Sequence, residues 1–443
     1  MKTHKNKTLT ITTVGFALFA MFFGAGNLIL PPFIGLQSGD EWLMALVGFF
    51  LTAILAPFLG VLVISKSGLS FTDLGYRTHP KLINVLAILI ILCIGPLVAI
   101  PRTGATVFEI GVQPSFPSFS NVVFAILFFG TVFLLSISKT KTVDIIGKFL
   151  TPFLLLSLVV LVVLGVINPP DVITESTMTA TEVFSFGFVE GYQTLDVLAS
   201  VIFAGVIIEA VIDKGFSSEN ERSRITLAAG LVSTISLLLI YGGLIYLGAT
   251  TDFPMQDNST RTQLLLHISS SILGEKGTFV VAIAIAFACL TTAIALTTAT
   301  GSIFEKISHG KIPYRLSVIL CTLISVVLSI NGVDAIIKYA VNILLFIYPI
   351  VFALILYLLL FGRYVKIRQP YVASIITTAI VSLISVGINL DMQKELLSTL
   401  KSYLPLQEYS LEWLLPSLIA FVFGTAIIRK MKCTNFQNEM YIF

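Results

Sequence analysis

The side chains best able to bind a ligand lie within two otherwise apolar stretches of the sequence. The first is the segment Gly24–Asn27, which two prolines soon follow, and the second is the segment Gly187–Asp196. Asp196 is the only acidic residue that we place deep in an apolar stretch, where a charge is costly unless the protein uses it. We expect it to bind a substrate ammonium, to help bind a cation or to carry a proton. A structural hydrogen bond made by the protonated side chain is the remaining alternative.

Both segments are predicted to interrupt a helix. Glycine makes unwinding easy, and unwound backbone persists in hydrocarbon only where a cavity or a ligand satisfies its N–H and C=O groups. The half-helix after an interruption offers N–H groups that suit a carboxylate, and the half-helix before it offers carbonyls that suit a hard cation such as sodium. Alternatively, the glycines of the first segment only allow close packing and Asn27 caps a helix. The matching second interruption favours binding.

Three groups of residues are the candidates for a binding site. A third polar group is the segment Ala288–Thr292, in which a backbone carbonyl and two threonine hydroxyls share one helix face and suit sodium. Threonines that bond to their own helix backbone are the alternative for this segment. The candidates for substrate binding are Gly24, Ala25, Gly26, Asn27, Gly191, Tyr192, Gln193, Thr194 and Asp196.

One further pair of charged residues has two alternative positions in the protein. Arg102 and Glu109 follow Pro101, where we expect the third apolar stretch to end. They either form an ion pair that closes the outer side of the protein or lie on its surface.

The elements that position these groups must be membrane-spanning helices. The chain is 56% hydrophobic and 12% charged, whereas soluble domains average about 25% charged residues. Its apolar stretches reach the roughly 20 residues that a bilayer crossing requires, and the alternating pattern of a membrane β-barrel is absent. The twelve predicted spans are Thr10–Leu36, Trp42–Ile64, Leu82–Ile100, Asn121–Ile137, Val143–Ile167, Phe184–Ile212, Ile225–Ala249, Thr278–Phe304, Pro313–Ile330, Ala335–Phe361, Tyr371–Leu390 and Trp413–Ile428.

The basic residues orient these spans. With a cytoplasmic N-terminus, 21 of the 27 lysines and arginines fall on the cytoplasmic side, which favours a multi-pass cell-membrane protein with both termini inside. The net charge of +3 therefore reflects topology and does not indicate a nucleic-acid groove. Three of the four cysteines lie inside spans, so we expect no disulfides. We also expect no organic cofactor and no obligate protein partner.

The positions of the two interruptions predict the architecture. They fall in spans 1 and 6, and a five-helix unit that is repeated once has inverted topology. Corresponding interrupted helices in two inverted halves are typical of the binding site of a secondary transporter. We predict a single membrane domain, residues 1–443, with repeats at 1–168 and 184–361 and two additional helices at 371–430.

Four motifs resemble the bacterial branched-chain amino-acid carriers of the LIVCS family. They are Phe22–Pro32, Gly95–Thr103, Gly187–Asp196 and Ala288–Ala293, and the resemblance covers most of the chain. It implies uptake of leucine, isoleucine and valine by cation symport. It also implies an all-α membrane protein with the five-plus-five inverted-repeat (LeuT-like) fold, in which helices 1 and 6 are broken.

The resemblance also implies where cations bind. One sodium site would use the carbonyls of Ala20 and Phe23 with Ala288, Thr291 and Thr292. A second would use the Phe22 carbonyl, Asn27 and Thr194, close to the substrate carboxylate. The sequence departs from the wider group of transporters at Asp196, where that group has a small neutral residue. Coupling to protons therefore remains the alternative to sodium.

Two other classes of membrane protein fit the sequence less well. A membrane-embedded enzyme would need a constellation such as HExxH, a Ser–His dyad or paired intramembrane aspartates, and none occurs here. An ion channel would need rings of filter residues, which nothing in the sequence suggests. A secondary carrier with alternating access is the interpretation that these observations favour.

Overall fold

The protein, seen here in a computed structural model, is built from helices. The structure describes residues 6–24, 26–68, 70–137, 142–254 and 260–426, and of residues 142–152 it describes the backbone only. Within these ranges there is no β-strand. The first eight helices are α1 (Lys7–Phe22), α2 (Gly26–Ser38), α3 (Trp42–Phe49), α4 (Ala56–Ser67), α5 (Pro80–Leu92), α6 (Ala99–Val107), α7 (Asn121–Ser136) and α8 (Thr142–Ile167).

Nine more helices follow along the chain. They are α9 (Ala180–Glu190), α10 (Asp196–Asp213), α11 (Glu219–Ala249), α12 (Arg261–Ile307), α13 (Tyr314–Ser329), α14 (Val333–Phe361), α15 (Gln369–Asn389), α16 (Lys394–Ser402) and α17 (Leu414–Ala426). Every predicted span overlaps one of these helices or a consecutive pair of them. Six helical stretches of the described chain are long and apolar enough to cross a membrane, or seven when the bent pair α9 and α10 counts as one, and five shorter apolar helices accompany them.

Large apolar side chains cover much of the outside of these helices. Leu134 is 68% exposed on α7, Leu239 is 68% exposed on α11, and Val327 is 65% exposed on α13. An aqueous exterior would penalise so many exposed aliphatic groups, whereas lipid tails accommodate them. The chain is therefore a multi-pass membrane protein.

Two stretches differ from their predicted bounds. The third span does not end at Ile100 but continues through α6 to Val112, because π-helical turns at Cys93–Leu97 and Phe108–Val112 extend the helix. A π-turn with non-helical torsions at Gly95 accommodates the proline that follows it, so the prolines do not end the span. The eighth span begins earlier than predicted, at Arg261, with an interruption at Gly274.

The helices pack in two groups, and the site lies where the groups meet. In the first group α11 packs along both α1 and α2, α3 packs on α9, and α4 packs on α10. In the second group α12 packs against α6, α7, α8 and α13. Contacts of α12 with α2 and of α1 with α10 join the interrupted helices to each other and to the second group.

Close backbone approach holds the first group together. At Gly248 of α11 an added Cβ would overlap the carbonyl of Pro32 on α2, and at Gly35 of α2 it would overlap the carbonyl of Ile245. Small residues at such crossings let membrane helices approach closely where no hydrophobic effect drives their association. The two glycines thus set the position of α2, which begins at the first interruption.

Gly248→Ala should destabilise the protein because a methyl group has no space at this crossing. We expect a loss of about 1–3 kcal/mol, the range for overpacked interiors, seen as a lower midpoint of thermal unfolding in detergent. Gly130→Ala on α7 is the matched control, since no atom lies within 4 Å of its added Cβ. Equal midpoints for the two variants would contradict the tight α2–α11 crossing.

Candidate functional site

The first helical interruption separates α1 from α2. The α1 helix ends at Phe22, whose carbonyl accepts the Gly24 N–H at 2.9 Å, and the Gly24 carbonyl accepts the Asn27 N–H at 3.1 Å. Ala25, one of the predicted site residues, lies outside the described residues. An added Cβ on Gly24 would lie 3.8 Å from the methyl group of Thr292. The interruption therefore faces α12.

The Asn27 amide connects both interruptions. Its Nδ2 lies 2.6 Å from the Phe22 carbonyl, 2.7 Å from Asp196 Oδ2 and 2.5 Å from the Tyr241 hydroxyl. The side chain is only 1% exposed. One amide nitrogen therefore contacts the last carbonyl of α1, the carboxylate of α10 and the hydroxyl of α11. A helix N-cap would instead accept a backbone N–H of α2 with its side-chain oxygen, so these contacts of the amide nitrogen are not those of a cap.

The second interruption separates α9 from α10. A short 3₁₀ turn at Gly191–Thr194 follows α9, and the two helices are bent by 42°. Leu195 takes a left-handed conformation with φ of 65°. A non-glycine residue pays roughly 1–2 kcal/mol for that conformation, and such strain clusters at functional sites.

Asp196 begins α10 and is held by polar neighbours. It is 3% exposed, and it lies in the first turn, where the positive end of the helix dipole favours a negative charge. Its N–H donates to the Thr194 hydroxyl at 3.3 Å, and that hydroxyl donates to the Gly191 carbonyl at 2.9 Å. The predicted acid is therefore buried at the interruption.

Arg102 of α6 also lies at the interruptions. It is 3% exposed, and its Nη1 donates to the Gln193 carbonyl at 2.6 Å. Its guanidinium packs against Gly26, where an added Cβ would overlap it. The sequence interpretation of an Arg102–Glu109 gate is wrong, because span 3 continues past Arg102 and places it in the interior.

The α12 helix contributes the third polar group. The Thr291 hydroxyl donates to the Ala288 carbonyl at 2.9 Å. This bond is the one expected if the threonines bond to their own helix backbone. Thr291 and Thr292 nevertheless face the first interruption, together with Ala20 of α1. Three of the five predicted ligands of the first cation site therefore adjoin one space, whereas Phe23 packs with its ring against Tyr241.

A cavity of about 170 Å³ lies between the interrupted helices, α6 and α12. Its polar wall contains many of the residues that the sequence predicts, and its apolar wall comes from all four elements. The predicted residues in the wall are Ala20, Phe22, Gly24, Asn27, Thr194, Asp196, Thr291 and Thr292. The others include Met21, Ile94, Ala99, Arg102, Thr103, Ala199, Phe203 and Leu296.

Several predicted substrate residues do not line this cavity. The Tyr192 ring points away and stacks on Tyr348 with centroids 4.0 Å apart. Gln193 contributes its carbonyl to Arg102, and Gly26 lies behind the guanidinium. Gly191 lies against Thr52 of the π-turn after α3, where an added Cβ would overlap the hydroxyl. These residues shape the interruptions and support the cavity from behind.

The cavity extends to one side of the interruptions. Ala20 precedes the interruption in α1, Phe203 follows the interruption in α10, and Leu296 follows the threonines of α12. Relative to the interruptions, these residues lie on the side that leads back to the start of α1 and forward to the end of α10. The cavity thus extends from the interruptions toward the side of the membrane on which α1 begins and α10 ends.

The opposite side is closed by an ion-pair cluster around Arg261, at the start of α12. Its Nη1 and Nη2 donate to the Glu190 carboxylate at 2.7 and 3.3 Å, and its Nε lies 3.5 Å from Asp334. Its guanidinium covers the ring of Phe33 at 3.9 Å. The cluster thereby joins α2, α9, α12 and α14. The side chains of Arg261 and Glu190 are mostly shielded from solvent, whereas that of Asp334 is 40% exposed.

Glu109 completes this closure without Arg102. Its carboxylate accepts the Thr262 hydroxyl at 2.6 Å and the Val333 N–H at 2.8 Å. It therefore ties the end of the third span to the starts of α12 and α14. The expectation that Glu109 contributes to a gate fits this position, with Thr262 and Val333 in place of the arginine.

Sequence reasoning missed Tyr241 and placed Arg102 at the outer side instead of at the site. Tyr241 lies in the middle of α11 and carries a polar group into an otherwise apolar span, directly before Gly242. A hydroxyl next to a glycine at this point of a span was the signal that the sequence offered for Tyr241. For Arg102 the signal was a charge that directly follows Pro101 and precedes Gly104 by two residues, but Pro101 suggested the end of the span.

The family model described as branched-chain amino acid transport protein matches residues 7–431. The chain belongs to this family. The branched-chain amino acid permease BraB of Bacillus subtilis is 34% identical to it over 438 residues, which cover 96% of this chain and 97% of that permease. The resemblance found in the sequence is therefore confirmed, and the protein is a transporter and not an enzyme.

Solved structures support the fold. Mhp1 in its inward-facing conformation superposes with a TM-score of 0.63 at 11% identity, covering 95% of this chain and 91% of that one. The manganese transporter of Eremococcus coleocola gives a TM-score of 0.51 at 14% identity, covering 95% of each chain. The predicted LeuT-like inverted-repeat fold is confirmed. At such low sequence identity these structures show a shared fold and do not indicate a shared substrate.

Arg261→Gln should loosen the closed side, because the glutamine leaves the Glu190 carboxylate unpaired. We expect labelling of Leu30→Cys, a fully buried position of α2, by a membrane-impermeant maleimide to accelerate at least about threefold, since losing a charged hydrogen bond costs about 1.5–3 kcal/mol. Lys394→Gln is the control, because Lys394 pairs with Asp391 on the exposed surface. Unchanged labelling in Arg261→Gln would show that the cluster does not hold this side closed.

Proposed function

We propose that this transporter imports leucine, isoleucine and valine across the cell membrane by sodium symport. The observation that carries the proposal is the cavity between the two interrupted helices, which combines amide, carboxylate and hydroxyl groups with an apolar wall. Its volume of about 170 Å³ suits a small solute, since a cavity of about 150 Å³ holds benzene. The substrate named for BraB, a relative over almost the full length, supports the same solute class.

The two ends of an amino acid find complementary groups in this cavity. We place the substrate carboxylate beside the start of α2, at Gly24–Asn27, where N–H groups and the positive end of the helix dipole favour an anion. We place the ammonium at Asp196 and the second interruption, with Thr194 beside it.

The branched side chain would contact the apolar wall. Ile94, Phe203 and Leu296 come from three different helices and surround the space next to the polar groups. A wall of this kind distinguishes side chains that differ by one methylene by only about 1–3 kcal/mol. Transport of all three branched-chain amino acids by one site is consistent with such modest selectivity.

For sodium we favour the site between α1 and α12. It would use the carbonyls of Ala20 and Phe23 and the oxygens of the Ala288–Thr292 segment, since three of these residues adjoin the cavity. Oxygen atoms of carbonyls and hydroxyls are the ligands that hard cations prefer. The Thr291 hydroxyl donates only its hydrogen to the Ala288 carbonyl, which leaves the lone pairs of its oxygen for the ion.

The second cation site has weaker support. Its proposed ligands are the Phe22 carbonyl, Asn27 and Thr194, but the Phe22 carbonyl already accepts from the Asn27 amide at 2.6 Å. A cation there would have to displace that amide. Coupling to a proton on Asp196 is the alternative driving reaction, because this carboxyl is buried in the same cavity.

The orientation of the chain gives the direction of access. We place both termini in the cytoplasm, as the distribution of basic residues indicates. The cavity then extends toward the cytoplasm, and the Arg261 cluster closes the outer side. Movement of the first helix group against the second would open the outer side and close the inner one, as in alternating access.

Asn27→Ala and Asp196→Ala should each abolish leucine uptake into proteoliposomes. The first removes the amide that joins the interruptions, and the second removes the acceptor for the substrate ammonium. We expect losses of at least about 50-fold, because each leaves buried polar groups without partners. Asp213→Asn, an exposed position at the end of the same helix, is the matched control. Normal uptake by both alanine variants would refute the site.

The coupling ion is tested by varying sodium and proton gradients independently at zero membrane potential. We expect uptake to follow the sodium gradient. The double variant Thr291→Val/Thr292→Val should raise the sodium concentration for half-maximal uptake at least about tenfold, since two of the ligands are lost. Thr297→Val, a buried position of the same helix outside the cavity, is the control. Uptake that survives sodium removal but collapses with a protonophore would assign the coupling to protons.

A further inference from the structure

We propose that Arg102 binds the carboxylate of the transported amino acid, so that the cavity recognises both charged ends of a zwitterion. This inference rests on the proposed function and adds to it a residue that determines specificity. Arg102 lines the cavity together with Asp196. The two residues come from different helices, α6 and α10, and they carry opposite charges.

Among the described residues no carboxylate forms a direct ion pair with the Arg102 guanidinium, and Asp196 attracts it only from a longer distance. Arg102 is 3% exposed, and among the described residues no carboxylate oxygen lies within 4.0 Å of its nitrogens. Its one hydrogen bond within that part of the chain goes from Nη1 to the Gln193 carbonyl, and its Nε has no partner there. A buried charge left without a partner is strongly destabilising. The guanidinium is therefore prepared for an anion that arrives from the cavity.

A second positive element lies at the same place. The α2 helix begins at Gly26, and the guanidinium packs directly on that residue. The start of a helix carries about half a positive charge and favours anions. The arginine and the helix therefore place two positive elements side by side. A carboxylate at this point would satisfy both, and the planar guanidinium can bind it with two parallel hydrogen bonds.

The opposite charge in the cavity matches the other end of the substrate. Asp196 contributes a carboxylate, and the absence of an ion pair with Arg102 at 4.0 Å leaves space between the two charges. An α-amino acid carries its ammonium and its carboxylate on the same α-carbon, so it can contact both residues at once. The site would then require both charges on the solute and select against amines and carboxylic acids of the same shape.

A positioning role is the competing explanation for Arg102. By donating to the Gln193 carbonyl, the guanidinium holds the turn that follows α9. If this were its whole contribution, its loss would weaken binding of every ligand by the same factor. If it binds the carboxylate, its loss would weaken only ligands that carry one.

The experiment measures ligand-dependent thermal stabilisation of the purified, full-length protein. The ligands are leucine, leucinamide (which lacks the carboxylate charge) and 4-methylpentanoate (which lacks the ammonium), at about pH 6.5, where the α-amine is protonated. For the unaltered protein we expect both analogues to bind at least about 50-fold more weakly than leucine, because each leaves one buried charge unpaired.

Arg102→Gln should remove the preference for a carboxylate. Leucine affinity should fall at least about 30-fold while leucinamide affinity stays within about threefold, as expected when one charged hydrogen-bond pair is lost. Asp196→Asn should do the reverse and bring 4-methylpentanoate close to leucine. Arg315→Gln, an exposed arginine on α13, should leave all three affinities unchanged.

Two results would overturn the inference. One is an equal loss of leucine and leucinamide binding in Arg102→Gln, which would leave a positioning role. The other is leucinamide binding as tight as leucine binding in the unaltered protein, a measurement that needs no variant to fold. In both cases leucine still binds, so the proposed function stands. Failure of the unaltered protein to bind or transport leucine would instead overturn the proposed function.

Discussion

Unwound backbone inside a membrane protein has no water to bind, so the protein itself must satisfy its free carbonyls and N–H groups. Here the amide of Asn27 performs much of this task. It contacts a free carbonyl at the end of α1, the carboxylate at the start of α10 and the hydroxyl of Tyr241. The two interruptions and the cavity between them meet at this one connection, which also reaches α11 through Tyr241.

The two interruptions are built by different means. The first uses Gly24 and Gly26, which unwind easily and allow the guanidinium of Arg102 to approach the backbone. The second contains Leu195 in a left-handed conformation, so its surroundings must hold it in place. The 3₁₀ turn before it is fixed by contacts of its side chains and carbonyls with α6 and α14. The inverted repeats thus share a topology without sharing local chemistry.

Much of the fold could be predicted because insertion into a membrane restricts which residues can occur in the spans and in the loops. Long apolar stretches and the asymmetry of basic residues specify spans, and glycine-rich polar segments such as Gly24–Asn27 mark the interruptions. The direction of each side chain could not be predicted in the same way. Tyr192 lies in an interruption, but its ring stacks on Tyr348 outside the cavity. Such contacts join residues that are far apart in sequence.

Arg102 shows a second limit of sequence reasoning. A proline directly before a charge usually suggests the end of a span, yet π-helical turns carry the third span past Pro101 to Val112. The first of these turns contains Gly95 and Pro96, residues that suggest the end of a helix as readily as a π-turn. Mhp1 has the same fold at 11% identity, so the fold alone does not specify which residues line the cavity. The chemistry resides in individual side chains.

The interruption at Gly274 has a mechanical consequence for α12. With φ of 67° and open space around its α-carbon, this residue divides the stretch into a short segment that begins at Arg261 and a longer one that carries Thr291 and Thr292. A continuous helix would transmit any displacement of its first turn to the threonines. The break at Gly274 removes that rigid connection, so the ion pairs of Arg261 and the oxygen groups of Thr291 and Thr292 stand on two mechanically separate segments.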